Sequence, residues 1–83
     1  MTRSPNGEEE TLRHLTAVIE QEAGGYVSFC PELDMASQGD TIELACANLK
    51  EALELFFEAA SDSEIEQRSS GPVFVTSVDV AVG

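Results

Sequence analysis

Basic residues are scarce in this chain. Four Lys and Arg stand against 16 Asp and Glu in 83 residues, a net charge of −12. That balance argues against an ordinary nucleic-acid binder, whose affinity comes from neutralising phosphates with Lys and Arg. It argues equally against docking on an anionic membrane. No stretch approaches the roughly 20 apolar residues needed to cross a bilayer, and the opening MTRSPNGEEET lacks the apolar core of a signal peptide. Cys30 and Cys46 allow one disulfide at most, show no zinc-ligand spacing, and fit a reducing, cytoplasmic setting. His14 is the single histidine. No Walker motif, dinucleotide fingerprint, nucleophile elbow or internal repeat is present, and no cofactor is expected.

One small domain is the most that 83 residues hold. A chain of this length buries roughly 60% of its unfolded surface. With no zinc site, self-association is the remaining source of extra stability. Apolar residues, at 42%, suffice for a folded chain over most of its length. Residues 1–11 read as a polar, disordered tail and 12–83 as the domain. Electrostatics favours a basic protein surface as partner, since complementary fields speed encounter. The plainer account of the acid is that it keeps a small protein from clumping.

The segments LRHLTAVIEQE (12–22), GG (24–25) and YVSFC (26–30) predict a hairpin, with β-branched and aromatic residues in the strands and Gly24 and Gly25 at the turn. Alternation puts Val27 and Phe29 on one face and Tyr26, Ser28 and Cys30 on the other. Pro31 closes the second strand because it lacks a ladder donor. MASQ (35–38) predicts a short third strand broken by Gly39. Asp40 reads as an N-cap, with Glu43 completing a capping box. From Thr41 to about Ala60, Ile42, Ala45, Cys46, Leu49, Ala52, Leu53, Phe56, Phe57 and Ala60 recur at helical spacing, with Glu43, Lys50, Glu51, Glu54 and Glu58 on the opposite side. SDSEIEQRSSGP (61–72) reads as a polar linker and VFVTSVDVAV (73–82) as a final strand. Phe74, Val78, Val80 and Val82 share one face of that strand, and Val73 and Val75 make the other partly apolar, so both sides need cover. The expected fold class is α+β in the order β-β-β-α-β, a small, mostly antiparallel sheet with one helix on a face.

Candidate chemistry is thin. Cys30 would need an activating base, and His14 on the neighbouring strand is the one available, with no third group to orient it. A structural thiol is the better reading, and Cys46 lies on the helix's apolar stripe. Glu20, Asp34, Asp40 and Glu43 are the acids for a metal-dependent nuclease, but that chemistry needs them gathered at one point. Asp40 and Glu43 already have capping roles. Asn48 is either a bond to the backbone of the turn at 31–39 or a solvated amide.

The run VIEQEAGGYVSFCPELDMASQGDTIELACANLKEALELFFE (18–58) resembles the HicB-like antitoxin family. The resemblance rests on Gly-Gly-Tyr-Val at 24–27, Cys-Pro-Glu-Leu at 30–33, Gln-Gly-Asp-Thr at 38–41 and Ala-x-x-Asn-Leu-x-Glu-Ala at 45–52. It implies a partial RNase H-like fold, like the N-terminal domain of HicB, without the nuclease active site. It also implies neutralisation of a small basic HicA-like, mRNA-cleaving toxin in a type II toxin–antitoxin system, and dimers or tetramers. Family members usually continue into a DNA-binding segment; this chain stops at Gly83, so autorepression is not expected. Asp34, Met35 and Ala36 stand where a proline–glycine turn is common, and Leu44 where a second glutamate is common.

The expected function is therefore that of a non-catalytic binding protein. Tyr26, Glu43, Glu51, Glu54 and Glu58 are the candidate partner contacts. Gly24, Gly25, Pro31, Gly39, Asp40 and Asn48 are the candidate structural positions. A homodimer or homotetramer through 73–82 is expected, with no membrane and no direct nucleic-acid contact. The rival readings are a stand-alone, self-assembling module without a toxin and a metal-dependent nuclease.

Overall fold

The computed structural model describes residues 12–83, so the tail expected over 1–11 lies outside the described residues. Three strands, β1 (Val18–Glu22), β2 (Gly25–Cys30) and β3 (Met35–Gly39), form an antiparallel sheet in the order β1-β2-β3. Helix α1 (Ile42–Ala59) lies on one face of it, and a short helix α2 (Asp62–Arg68) follows. The class is α+β.

Strand alternation decides which side chains meet the helix. Val18 pairs with Phe29 and Phe29 with Ala36, while Ile19, Ser28 and Ser37 form the next row. Successive rows point to opposite faces. Ser28 and Cys30 are fully buried under α1. On the uncovered face Val18 and Phe29 remain 38% and 37% exposed. The core is small: Cys30, Leu33, Ala45 and Leu49 are its buried apolar residues, with Leu15, Met35, Leu53, Phe56 and Phe57 packed around them. Leu33 and Leu49 are worth about 1.5–3 kcal/mol each, so little of the total can be lost.

Two close approaches fix helix on sheet. The Ser28 hydroxyl donates to the Ala45 carbonyl at 2.8 Å, a buried bond that satisfies a polar group which would otherwise be costly there. Gly39 lies directly under the first turn of α1. A Cβ at that position would stand 2.5 Å from the Ala45 nitrogen and 2.7 Å from the Leu44 carbonyl carbon. The third strand therefore ends in glycine because the helix backbone occupies the space of a side chain.

The hairpin turn is Ala23 and Gly24, with Gly24 at φ +84, while Gly25 already pairs with Glu22 in the sheet. Strand β2 ends at Cys30, before Pro31. The following turn closes with Asp34 at φ 55, a left-handed conformation that Asp tolerates.

Four sequence expectations are corrected. The first strand starts at Val18, not Leu12. The cap of α1 is Thr41, whose hydroxyl accepts from the Leu44 N–H at 3.0 Å; Asp40 precedes the helix, and no Asp40–Glu43 capping box forms. The linker at 61–72 contains α2, started by a true capping box in which Ser61 and Glu64 exchange bonds. The segment 73–82 does not join the sheet. It forms no regular element past Ser70, with Phe74, Val75, Val78, Val80 and Val82 between 69% and 90% exposed. Helix α2 and the bonds from Ser70 to the Glu32 carbonyl hold the chain up to residue 70; Val73 is half-buried, and beyond it the apolar side chains lie open.

Gly39→Ala should lower stability by about 1–3 kcal/mol, the usual cost of forcing atoms into a packed contact. A urea titration followed by helical circular dichroism measures it, and an unchanged midpoint would contradict the close approach.

Candidate protein-binding surface

The outward face of α1 is the most distinctive surface. At 3.6 residues per turn, Glu43, Glu51, Glu54 and Glu58 fall within an arc of about 80°. All four are exposed. Leu44 and Leu55, 49% and 56% exposed, flank the same stripe. An acidic band with an apolar margin suits a basic partner: the charges steer encounter and the leucines offer apolar area to bury. Sequence reasoning named the glutamates as candidate contacts but not the leucines beside them. Their signal was present, since both fall off the core stripe of the helix.

Tyr26 lies on the helix-facing side of β2 and is half-buried, paired with Gln21 and Gly39. It lines an open hollow of about 520 Å³ together with Gln38, Asp40, Leu44 and Asn48. Tyr26 thus adjoins the end of the acidic stripe marked by Leu44. The Asn48 side chain donates to the Gln38 carbonyl at 2.7 Å, tying the last turn of β3 to α1.

The remaining chemistry is dispersed. The Cys30 thiol donates to Glu32 at 3.4 Å. Burial, reinforced by the Glu32 carboxylate, pushes its pKa up against opposing bonds from backbone amides. A buried thiol with a raised pKa is a poor nucleophile at neutral pH. His14 is exposed and lies ahead of the first paired residue of β1. Glu20 stands in β1, Asp34 in the turn after β2, Asp40 before α1 and Glu43 in its first turn. Among the described residues no three His, Cys, Asp or Glu side chains gather where they could hold a metal ion. In the same residues no helix is long and apolar enough to cross a membrane.

Glu32 is the residue that sequence reasoning missed. Its carboxylate accepts the Thr16 hydroxyl at 2.7 Å and the Thr16 N–H at 3.0 and 3.1 Å. Its backbone carbonyl accepts the N–H and hydroxyl of Ser70 at 2.9 and 3.2 Å. Desolvation works to raise the Glu32 pKa, but the Thr16 hydroxyl and amide, with its own amide and the Cys30 thiol, outweigh it and hold the carboxyl below its ordinary value of 4.5. Two exposed cations also lie over aromatic rings. The Arg13 guanidinium lies 4.5 Å from the Phe57 ring centre, and Arg68 lies 5.5 Å from that of Phe56 while donating to the Leu33 carbonyl at 2.9 Å.

These features define the class: a small α+β domain that carries an acidic helix face on a three-stranded sheet. Neither a family model nor a solved structure matches the chain. Curated relatives do. A UPF0150 protein of Helicobacter pylori is 34% identical over 68 residues, 81% of this chain and 94% of that protein. Two UPF0150 proteins of Synechocystis sp. are 50% and 54% identical over 50 and 46 residues, 58% and 53% of this chain. Those two matches span 63% and 64% of the Synechocystis proteins' own length. The chain belongs to the UPF0150 family, which is the HicB-like family, as the motifs at 24–52 implied.

The pH dependence follows from Glu32. Its folded-state pKa is depressed, so its contribution is fully present above the unfolded value near 4.5 and is lost as pH falls through the folded value. Glu32→Gln should lower stability at neutral pH by about 1 kcal/mol, the net worth of a hydrogen bond. It should also flatten the loss of stability that the unaltered chain shows below about pH 4.5. Thermal melts of both proteins across that range measure the difference; parallel curves would contradict the assignment.

Proposed function

We propose that this chain is a non-catalytic binding protein of the antitoxin kind, acting in a type II toxin–antitoxin system. It neutralises a small, basic, HicA-like RNA-cleaving toxin by covering it. The observation that carries this reading is the stripe Glu43, Glu51, Glu54 and Glu58 with its leucine margin, in a chain of net charge −12. HicB-like membership is compatible with it. The Cys30 thiol, raised in pKa, and the dispersed carboxylates favour binding over catalysis. In this mechanism the stripe attracts the toxin's basic surface, Leu44, Leu55 and Tyr26 are buried in the contact, and RNA is excluded by volume and by charge. The uncovered valines of 73–82 favour a second reading, a self-assembling module, which the antitoxin reading does not exclude.

The test is toxin-catalysed RNA cleavage with and without added protein. Inhibition is expected, weakening as ionic strength rises from about 0.05 to 0.5 M because exposed charges are screened. The triple variant Glu51→Lys, Glu54→Lys, Glu58→Lys should lose inhibition by a factor of about ten or more, with its helix content intact. Full toxin activity in the presence of excess protein would overturn the proposal.

A further inference from the structure

The open hollow beside the hairpin has a shape that the acidic stripe does not account for. Its walls come from two places. The hairpin brings Tyr26 and the side-chain-free pair Gly24 and Gly25, and the start of α1 brings Asp40, Leu44 and Asn48. The walls abut closely. A Cβ at Gly25 would stand 2.8 Å from the Gly39 carbonyl oxygen and 3.6 Å from the Asp40 Cα. The Asn48 bond to the Gln38 carbonyl, at 2.7 Å, fixes their spacing. Tyr26 is half-buried on the helix-facing side of β2, and Asp40, which is exposed, directly follows its cross-strand partner Gly39. Sequence reasoning gave Asp40 the cap of α1, but Thr41 performs that task. Capping therefore does not explain Asp40.

The chemistry of the walls selects an occupant. A metabolite pocket is enclosed and mainly apolar, whereas this hollow is open and has Glu22 and Asp40 in its lining. An anion at the first turn of α1 would meet those two carboxylates and that of Glu43. A cation is opposed by the positive end of α1, but that partial charge stands against three whole ones. An aromatic face next to a carboxylate suits a planar cation best. A guanidinium stacks on the ring and pairs with both oxygens of the acid, whereas an ammonium is a point charge without a plane. Leu44 offers apolar surface to the stem of such a side chain. It also flanks the acidic stripe, so hollow and stripe are continuous.

We propose that the hollow receives one arginine side chain of the basic protein that the stripe captures. Its guanidinium lies over the Tyr26 ring and pairs with Asp40, and its methylene stem lies along Leu44. This rests on the proposed capture of a basic protein, and adds which side chain of that protein is read and where. The stripe supplies long-range attraction. The hollow supplies register, because stacking and pairing together fix the direction of approach.

Two measurements test it. In the first, Nα-acetyl-arginine methylamide is titrated into the isotope-labelled chain, with its lysine and citrulline counterparts for comparison. The amides of Gly24, Gly25 and Tyr26 and the side-chain amide of Asn48 should shift with arginine, shift less with lysine and stay in place with neutral citrulline. Asp40→Asn should abolish the arginine shifts. In the second, inhibition of a HicA-like toxin is compared among variants. Asp40→Asn and Tyr26→Leu should inhibit about tenfold less well, and Tyr26→Phe, which keeps a ring, should stay within about twofold of the unaltered chain. Glu66→Gln removes the same charge from α2, away from the hollow, and should inhibit normally. Shifts absent at the hollow, or reproduced by citrulline, would overturn the proposal. Undiminished inhibition by Asp40→Asn and Tyr26→Leu would overturn it too, while leaving the toxin reading intact. No inhibition by the unaltered chain would sink the toxin reading instead, and the titration, which uses no toxin and no Tyr26 variant, still decides the hollow.

Discussion

The architecture depends on the side chain and carbonyl of Glu32. Two stretches remote in sequence, and the end of β2, converge on this one residue of the turn after β2. Thr16 hangs from its carboxylate, the Cys30 thiol leans on the same group, and Ser70 binds its carbonyl twice. The neighbouring Leu33 is 1% exposed, and its carbonyl holds Arg68. A domain with four buried apolar residues has little hydrophobic energy to spare. Polar bonds at one turn therefore decide where the chain enters the sheet and where it leaves α2.

From that turn the rest of the geometry follows. The chain reverses through Asp34 into β3, whose last residue, Gly39, sits against α1 without a side chain between them. Ser28 and Asn48 then join sheet to helix at two points along α1, each by a bond to a backbone carbonyl. Held this way, α1 turns Leu49, Leu53, Phe56 and Phe57 inward and its glutamates outward. The acidic stripe is thus a product of how the helix is seated as well as of composition.

Much of this was readable in the residues. Alternation in Tyr26 to Cys30 and the helical spacing from Ile42 to Ala60 located β2 and α1 closely, because those patterns report which face is buried. The family motifs at 24–27, 30–33, 38–41 and 45–52 were legible as well. What escaped had a physical cause in each case. Thr41 displaced Asp40 as cap because its extended backbone aims the hydroxyl at the Leu44 amide. Helix α2 was hidden by a serine-rich composition, although Ser61 and Glu64 spelled a capping box. The valines of 73–82 have strand propensity, but propensity does not supply a neighbour, and the segment stays unpaired. Glu32 was passed over because its role arises from contacts with residues 16 and 38 positions away, which no local pattern reports.

The scarcity of basic residues, two of them lying over phenylalanine rings, has a bearing on solution behaviour. Both guanidinium groups stay exposed, yet with four basic residues against 16 acidic ones the water-facing shell is close to a single sign. Dissolved electrolyte then acts oppositely on the two kinds of neighbour such a shell meets: it quiets the mutual aversion of like molecules and dulls the pull on unlike ones. Ionic strength therefore sets how strongly such a shell repels its like and attracts opposite charge.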